Sequence, residues 1–333
     1  MLNRYSPAWL KKMDAFTNYI INCPDEIKSP IKVAVLDDGF DMISNVYTEP
    51  GSIIFKTMDS WNNNCAGGYT SYRKRTSKFL DRHPMVSYNS ESGHGTRMVK
   101  LVQKLCPKAK LYVARLSNVN GAPTCESAAE AIEWAVRCGV DIISMSWSIQ
   151  TSPSSVARPP PDELRLKAAI DKAKNANILM FGASADEGNN GATEPIIYPA
   201  AAAGVFCIVA ADYYGQLKAT VGAEGSGKNA YAFPSEEVKD GKAHGSSVAT
   251  ALAAGFTALL LHSAEISGWA NSEGAELRLL RNHENMARVF NGLLVPGTRY
   301  VGVTYSIPDY VSKGDWDNTG KKALRGLMRK ILS

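Results

Sequence analysis

The order of apolar and polar segments along the chain predicts an α/β fold. From residue 31 onward, short apolar runs alternate with stretches whose apolar residues recur at helical spacing. We expect strands at 31–36, 110–116, 140–147 and 178–183, and helices at 94–105, 126–138 and 164–175. Strands joined by helices of this length need crossover connections, so a three-layer, mainly parallel sheet with helices on both faces is predicted.

The later part of the chain changes character. The apolar run 248–261 is too short and too rich in Ala and Gly to span a bilayer, and is expected to form a helix inside the core. Beyond it we expect a helix at 275–290, a strand near 300–305 and a basic helix at 321–332. The predicted organisation is an N-terminal extension, a main domain and a C-terminal extension packed on the core, at 1–27, 28–262 and 263–333.

Composition supports a folded protein without naming its partner. Of the 333 residues, 45% are apolar and 21% are charged, which excludes a disordered chain. A net charge of +5 does not by itself indicate a surface that binds nucleic acid or a membrane. The six cysteines contain no CxxC pair, so free thiols are expected. The N-terminus lacks the apolar core of a secretory signal, and we therefore expect a cytoplasmic protein with no membrane segment.

Residues 44–92 form a long polar connection with a basic cluster, Arg73, Lys74, Arg75 and Lys78. A solvated loop is the favoured interpretation. A localisation signal or a self-cleavage site stays open.

Polar residues at three places follow or begin predicted elements, where α/β sheets place their chemistry. Asp37 ends the first strand, and His94 lies between two glycines at the start of a helix. Ser246 and Ser247 begin the apolar helix, where free N–H groups and the helix dipole favour developing negative charge. Acyl transfer needs this set, because a serine attacks a carbonyl, a histidine moves its proton and an aspartate orients the histidine.

The segments around these residues resemble those of subtilisin-like serine proteases, the subtilase or peptidase S8 family. They read VAVLDDGFD, SGHGT and HGSSVATALAAG, and further similarity lies in LYVARL, AIEWAVRCGVDIISMSWS and YPAAAAGVFCIVAA. The resemblance covers roughly residues 28–262. The DDG motif is similar to that of kexin-like members, and SSVATALAAG is similar to intracellular fungal subtilases, including domains attached to NOD-like receptor proteins.

The resemblance implies a fold, an activity and roles for named residues. Asp37, His94 and Ser247 take the positions of the catalytic triad, and the family pattern G-x-S-x-A selects Ser247 over Ser246. Three residues, Ser146, Trp147 and Ser148, take the place of the edge that pairs with an extended substrate. Trp147 either narrows the first specificity pocket or fills a gap. The implied substrate is a protein or a peptide.

One position departs from the family pattern. Where the family has an asparagine that donates to the oxyanion, the sequence ASADEG places Asp186. Together with Ser247, Asp186 would line the oxyanion hole, where an ionised carboxylate repels the developing charge. Losing one such donor costs about 100- to 1000-fold in turnover. A buried, protonated Asp186 would instead donate a hydrogen bond. We expect a slow or selective protease.

No cofactor and no metal are predicted, while weaker calcium sites with oxygen ligands stay open. The short connection between His94 and Cys106 lacks the calcium-binding loop of many secreted relatives, so no high-affinity calcium is expected there. Only about 30 residues precede the first strand, so we expect either an excised part of a larger receptor-like protein or a domain that folds unaided. The rival hypothesis is a pseudoprotease, a peptide-binding or signalling module disabled by Asp186 and Trp147. A dinucleotide-binding enzyme is disfavoured, because no GxGxxG follows a strand.

Overall fold

The computed structural model of the chain describes residues 8–23, 29–41, 69–70, 90, 92–116, 118–119, 122–151, 159–186, 196–212, 214–217, 230–235, 245–268, 275–302, 322, 324–326 and 328–330. The basic cluster at Arg73, Lys74, Arg75 and Lys78 lies outside these residues, and so does Cys65. The other five cysteines are free thiols.

The element order alternates strands and helices. The strands are β1 (Lys32–Asp37), β2 (Tyr69–Thr70), β3 (Lys110–Arg115), β4 (Asn118–Val119), β5 (Ala122–Pro123), β6 (Ile142–Met145), β7 (Ile149–Thr151), β8 (Leu179–Ala183), β9 (Ile196–Tyr198), β10 (Val205–Ala211) and β11 (Ala230–Pro234). The helices are α1 (Ala8–Ile21), α2 (His94–Leu105), α3 (Cys125–Arg137), α4 (Pro161–Asn175), α5 (Ser246–Ile266), α6 (Ala275–Leu280) and α7 (His283–Gly292).

One parallel sheet lies at the centre of the protein. Within the described residues its strand order is β11-β10-β8-β6-β1-β3-β2, and each pair is parallel. The chain crosses from β3 to β6 through α3 and from β6 to β8 through α4. The predicted α/β fold is therefore confirmed. Parallel strands also bring the ends of β1 and β6 to one edge, next to each other.

Two hydrophobic cores cover the two faces of the sheet. Along β1, Val33 and Val35 belong to a core that also contains side chains of α1, α2, α5 and α7. The alternate residues Ala34 and Leu36 belong to the other core, with side chains of α3 and α4. Alternation of this kind follows from the two-residue period of a strand. The three predicted layers are helices, sheet and helices.

Helix α5 is the apolar helix expected from the sequence, and it is buried along nearly all its length. By length and composition alone it could cross a membrane, but 94% of its apolar stretch is buried inside the protein, as in the core helix of a globular domain. The interpretation of 248–261 as a core helix is confirmed.

The C-terminal part differs from the prediction at one helix. The expected helix at 275–290 is divided into α6 and α7, because the Asn282 side chain accepts the N–H groups of Glu284 and Asn285 and caps a new helix start. The strand expected near 300–305 is represented in the described part by single bridges at Tyr300 and Val301.

Candidate active site

Asp37 lies where the prediction placed it, at the carboxyl end of β1. Its side chain is buried, with 5% of its surface exposed. Oδ1 accepts a hydrogen bond from the Asp38 N–H at 2.8 Å and lies 2.8 Å from Nδ1 of His94. Oδ2 is buried and has no hydrogen-bond partner among the described residues. An oriented carboxylate therefore meets a histidine at the edge of the sheet.

His94 is the first residue of α2, and about a third of its side chain is exposed. Donation from Nδ1–H to Asp37 leaves the lone pair on Nε2, the nitrogen that a general base uses. Burial lowers the pKa of His94, but the hydrogen bond and the negative charge of Asp37 outweigh it, with a further contribution from Asp38. The net pKa of His94 is raised above its usual 6.5.

The pKa of Asp37 is also raised, and its cause is different. Burial disfavours the ionised carboxyl, while the hydrogen bond and positive charge of His94 oppose the rise. The upward pKa shift of His94 follows from a buried carboxylate oxygen in hydrogen-bond contact with the ring.

The structure separates the two adjacent serines at the start of α5. Ser246 is 2% exposed, and its hydroxyl donates to the Ser184 carbonyl at 2.6 Å. Ser247 is half-buried, and its hydroxyl donates to the Ser146 carbonyl at 3.0 Å. Ser146 Oγ in turn donates to the Ser247 carbonyl at 3.0 Å. Of the two serines, Ser247 is the one that a substrate can reach.

These contacts place Ser247 at the strand end next to Asp37. Ser146 directly follows β6, the neighbour of β1, and the Trp147 indole donates to the Leu36 carbonyl at 2.8 Å. In the described part of the chain, however, Ser247 makes no hydrogen bond with His94, since its hydroxyl is directed at Ser146. Asp37 and His94 are in contact, whereas the hydroxyl of Ser247 is bonded to the Ser146 carbonyl.

Asp186 lies beside the start of α5, and of the two arrangements considered for it, the buried one is not observed. The side chain is exposed, because residue 186 lies in the loop that leaves β8. Its Oδ1 accepts the backbone N–H of Ser246 at 2.8 Å. Gly245 has a φ of 107°, and a Cβ atom there would overlap Oδ2 of Asp186. The carboxylate therefore caps the helix that carries Ser247.

The predicted substrate edge is only partly open. Ser146 is buried, whereas Trp147 and Ser148 are half-buried. Trp147 packs against the core on the side of α3 and α4, and its indole N–H donates to the Leu36 carbonyl of β1. These contacts favour the gap-filling interpretation of Trp147. The role of this edge in substrate binding stays a prediction.

The surroundings of Asp38 were not predicted from the sequence. This second aspartate of the DDG motif is buried and accepts hydrogen bonds from Ser90, Ser92 and Gly95. Burial raises its pKa, but these hydrogen bonds outweigh burial, and the pKa of Asp38 is lowered. The signal in the sequence was a serine two residues before His94.

Nothing in the described ranges forms a group of three His, Cys, Asp or Glu side chains that could hold a metal ion. His262 lies sixteen residues after Ser246 in α5, about 24 Å along the helix. Burial lowers the pKa of His262 to about 4, so it is neutral near pH 7. His283 stacks on Phe206 at 4.1 Å. Neither histidine has a part in the Asp37–His94 pair.

Comparison with curated proteins gives partial matches to proteases. The chain is 33% identical over 147 residues to a thermostable alkaline protease of Halalkalibacterium halodurans, covering 41% of this chain and 36% of that one. It is 33% identical over 123 residues to the subtilisin-like protease het-Q2 of Podospora anserina, covering 35% and 30%. It is 25% identical over 261 residues to subtilisin E of Bacillus subtilis, covering 74% and 58%. The chain thus spans less than two thirds of the length of these relatives.

Solved structures with the same fold cover the chain more fully. A mutant of the protease domain of PatA aligns with a TM-score of 0.56 and 20% identity, covering 91% of this chain and 97% of that one. A lanthipeptide protease aligns with a TM-score of 0.58 and 18% identity, covering 89% and 95%. The subtilase family model, peptidase S8, matches residues 28–288, which is most of the sequence. This chain therefore belongs to the subtilase family.

Proposed function

We propose that this protein is a serine endopeptidase that hydrolyses peptide bonds through Asp37, His94 and Ser247. The observation that carries the proposal is the 2.8 Å contact between a buried carboxylate and His94 at the carboxyl edge of the sheet. Membership of the subtilase family supports it.

The proposed mechanism has two half-reactions, and in each of them His94 first accepts a proton and then donates it. Ser247 Oγ attacks the scissile carbonyl carbon, while Nε2 of His94 takes the hydroxyl proton. Asp37 stabilises the resulting imidazolium. His94 then donates that proton to the leaving amine, and the peptide bond breaks to give an acyl ester on Ser247. Water attacks the ester with His94 as base, which releases the acid and restores the serine.

The oxyanion would form near the first N–H groups of α5, which lack partners inside the helix. One of these, the Ser246 N–H, is used by Asp186. The Ser247 N–H is the donor that we assign to the oxyanion. The negative carboxylate of Asp186 opposes the same charge, and for that reason we propose slow or selective turnover.

The substrate that we propose is a protein or peptide segment in extended form, paired along Ser146, Trp147 and Ser148. No nucleic-acid, membrane or cofactor partner is part of this proposal. A cytoplasmic protein of the intracellular fungal type, within a larger receptor-like chain, is the setting we propose. The DDG motif, in contrast, is similar to that of the kexin-like branch.

A fluorophosphonate probe tests the proposal, because it reacts only with an activated serine. We expect covalent labelling of the folded wild type and its loss in Ser247→Ala. Ser246→Ala is the matched control, since it removes the neighbouring hydroxyl, and it should keep the label. A folded wild type without label would favour the pseudoprotease.

A further inference from the structure

The carboxylate of Asp38 is surrounded by hydrogen-bond donors from one short segment. Its Oδ1 accepts from Ser90 Oγ at 2.6 Å and from the Gly95 N–H at 2.7 Å. Its Oδ2 accepts from the N–H and the hydroxyl of Ser92, at 2.8 Å and 2.6 Å. Only 7% of the residue is exposed. Four donors on a buried carboxylate make a strong, charge-assisted anchor.

This anchor reaches the backbone of His94 in two ways. The Ser92 hydroxyl, which donates to Asp38, also accepts the His94 N–H at 3.2 Å. On the other side, the Gly95 N–H donates directly to Asp38. Asp38 therefore holds the chain immediately before and immediately after the proposed general base.

The close approach depends on a glycine. A Cβ atom at residue 95 would overlap the carbonyl oxygen of Gly39 and would lie 2.7 Å from Oδ1 of Asp38. Gly95 thus lets the start of α2 lie directly on the DDG turn. The second aspartate and the glycine after His94 form one contact.

We propose that Asp38 is a positioning residue that fixes the His94 backbone at the start of α2 and stabilises the positive imidazolium through its charge. This inference rests on the proposed function, because it assigns His94 as the general base. Asp37 contacts the ring itself, whereas Asp38 acts through Ser92 and Gly95.

The charges around His94 support the electrostatic part. After burial, which lowers the pKa of His94, the groups that act on it are Asp37 and Asp38, which raise it, and Arg97, which lowers it. Removing the charge of Asp38 should therefore lower the pKa of His94. Because the general base works only when neutral, the acid limb of the rate profile should move to lower pH.

A different use of Asp38 would be recognition of a basic substrate side chain. Such recognition needs free lone pairs and access to solvent. Both carboxylate oxygens already accept two hydrogen bonds each, and the side chain is buried. The positioning role is the one that these contacts favour.

The first test is Asp38→Asn. In the wild type, Oδ1 of Asp38 accepts the Gly95 N–H and Oδ2 accepts the Ser92 N–H. The NH2 group of an asparagine at residue 38 would therefore face one of these two N–H donors in either orientation of the side-chain amide. With a peptide p-nitroanilide that the wild type cleaves, we expect a roughly 10- to 100-fold loss of kcat with little change in KM, as for a displaced catalytic group. The acid limb of kcat/KM should move to lower pH.

The matched control is Asp14→Asn. Asp14 also pairs with α2, through Lys104 at 3.7 Å, but Lys104 lies ten residues after His94. Asp14 lies on α1, so this variant removes one carboxylate charge that pairs with α2 about 15 Å along that helix from His94. It should leave both kcat and the pH profile unchanged. Ser92→Ala, which removes one donor from an exposed residue, should lower kcat in the same direction if Asp38→Asn does not fold.

NMR titration of the His94 ring separates this inference from the proposed function, since it does not depend on hydrolysis. The His94 signal is assigned by its loss in His94→Ala. A lower His94 pKa in Asp38→Asn supports the inference even if the wild type proves inactive. An unchanged pKa together with unchanged kcat overturns it. A second result would also overturn it. If Asp38→Asn raises KM for a substrate that contains lysine but not for the same substrate with norleucine, Asp38 binds a basic side chain.

Discussion

At the scale of single residues, Ser246, Ser247 and Asp186 lie close together at the start of α5 but make different hydrogen bonds. Ser246 is buried and bonded inward, while Ser247 remains reachable. The Asp186 carboxylate accepts the Ser246 N–H at 2.8 Å. Its negative charge is thereby placed beside the N–H groups that the oxyanion would need.

Asp186→Asn is expected to increase turnover on a peptide substrate by about 100- to 1000-fold, the range associated with one oxyanion donor. The asparagine oxygen can still accept the Ser246 N–H, and its NH2 group replaces a repelling charge with a donor. Steady-state kcat of the purified variant against wild type measures the effect.

Asp212→Asn is the control for that measurement. Asp212 likewise accepts backbone N–H groups, from Tyr214 and Gln216, in a turn after β10. It should leave kcat unchanged. A fall in turnover for Asp186→Asn would mean that the carboxylate has a positive role in the reaction.

The sequence was sufficient to place Asp37 and His94, because each is fixed by a strand end or a helix start. It was not sufficient for Asp186, whose exposure depends on the path of the loop after β8. It also missed the contacts of Asp38, because Ser90 and Ser92 reach it across more than fifty residues. The local pattern of apolar and polar residues does not predict contacts between residues so far apart in the sequence.

At the scale of secondary-structure elements, the turn after β1 and the start of α2 lie in close contact. It requires Gly95, because any Cβ there would overlap the Gly39 carbonyl oxygen and crowd Asp38. The same contact aligns His94 with Asp37.

Gly95→Ala is expected to lower the free energy of unfolding by about 1–3 kcal/mol, the usual cost of overpacking, and to reduce activity with it. Urea unfolding followed by circular dichroism measures the change. Gly292→Ala, where an added Cβ would meet nothing within 4 Å, should change stability far less. Equal, small effects for both variants would contradict the close packing of α2 on the turn.

Prediction of the elements succeeded where periodicity was strong and failed where a cap or a tertiary contact decided. Helix α2 begins and ends where the apolar spacing placed it. The break between α6 and α7 was missed, because a single capping side chain at Asn282 decides it. Helix α1 was not recognised as structure at all, since its mixed polar sequence was considered only as a targeting signal.

At the scale of the whole molecule, α1 is part of the main hydrophobic core. Trp9 is 1% exposed, packs edge-on against Phe233 and Phe256, and donates its indole N–H to the Val301 carbonyl at 3.0 Å. A residue near the beginning of the chain thus joins the central sheet, the helix of Ser247 and a residue near position 300.

Trp9→Ala is expected to lower the free energy of unfolding by about 3–5 kcal/mol, as for large aromatic side chains removed from a core. Tyr214→Ala is the control, because Tyr214 is an aromatic residue that is 83% exposed. It should change stability by less than about 0.5 kcal/mol. Denaturant titration compares the two, and a near-neutral Trp9→Ala would show that α1 does not stabilise the core.

The central claim is covalent turnover at Ser247, and rapid mixing with p-nitrophenyl acetate tests it most directly. An acyl-enzyme mechanism predicts a burst of p-nitrophenolate approaching one equivalent per wild-type chain, followed by slower steady release. The burst should vanish in Ser247→Ala and in His94→Ala. No burst from the folded wild type, or a burst that survives in Ser247→Ala, would contradict the account.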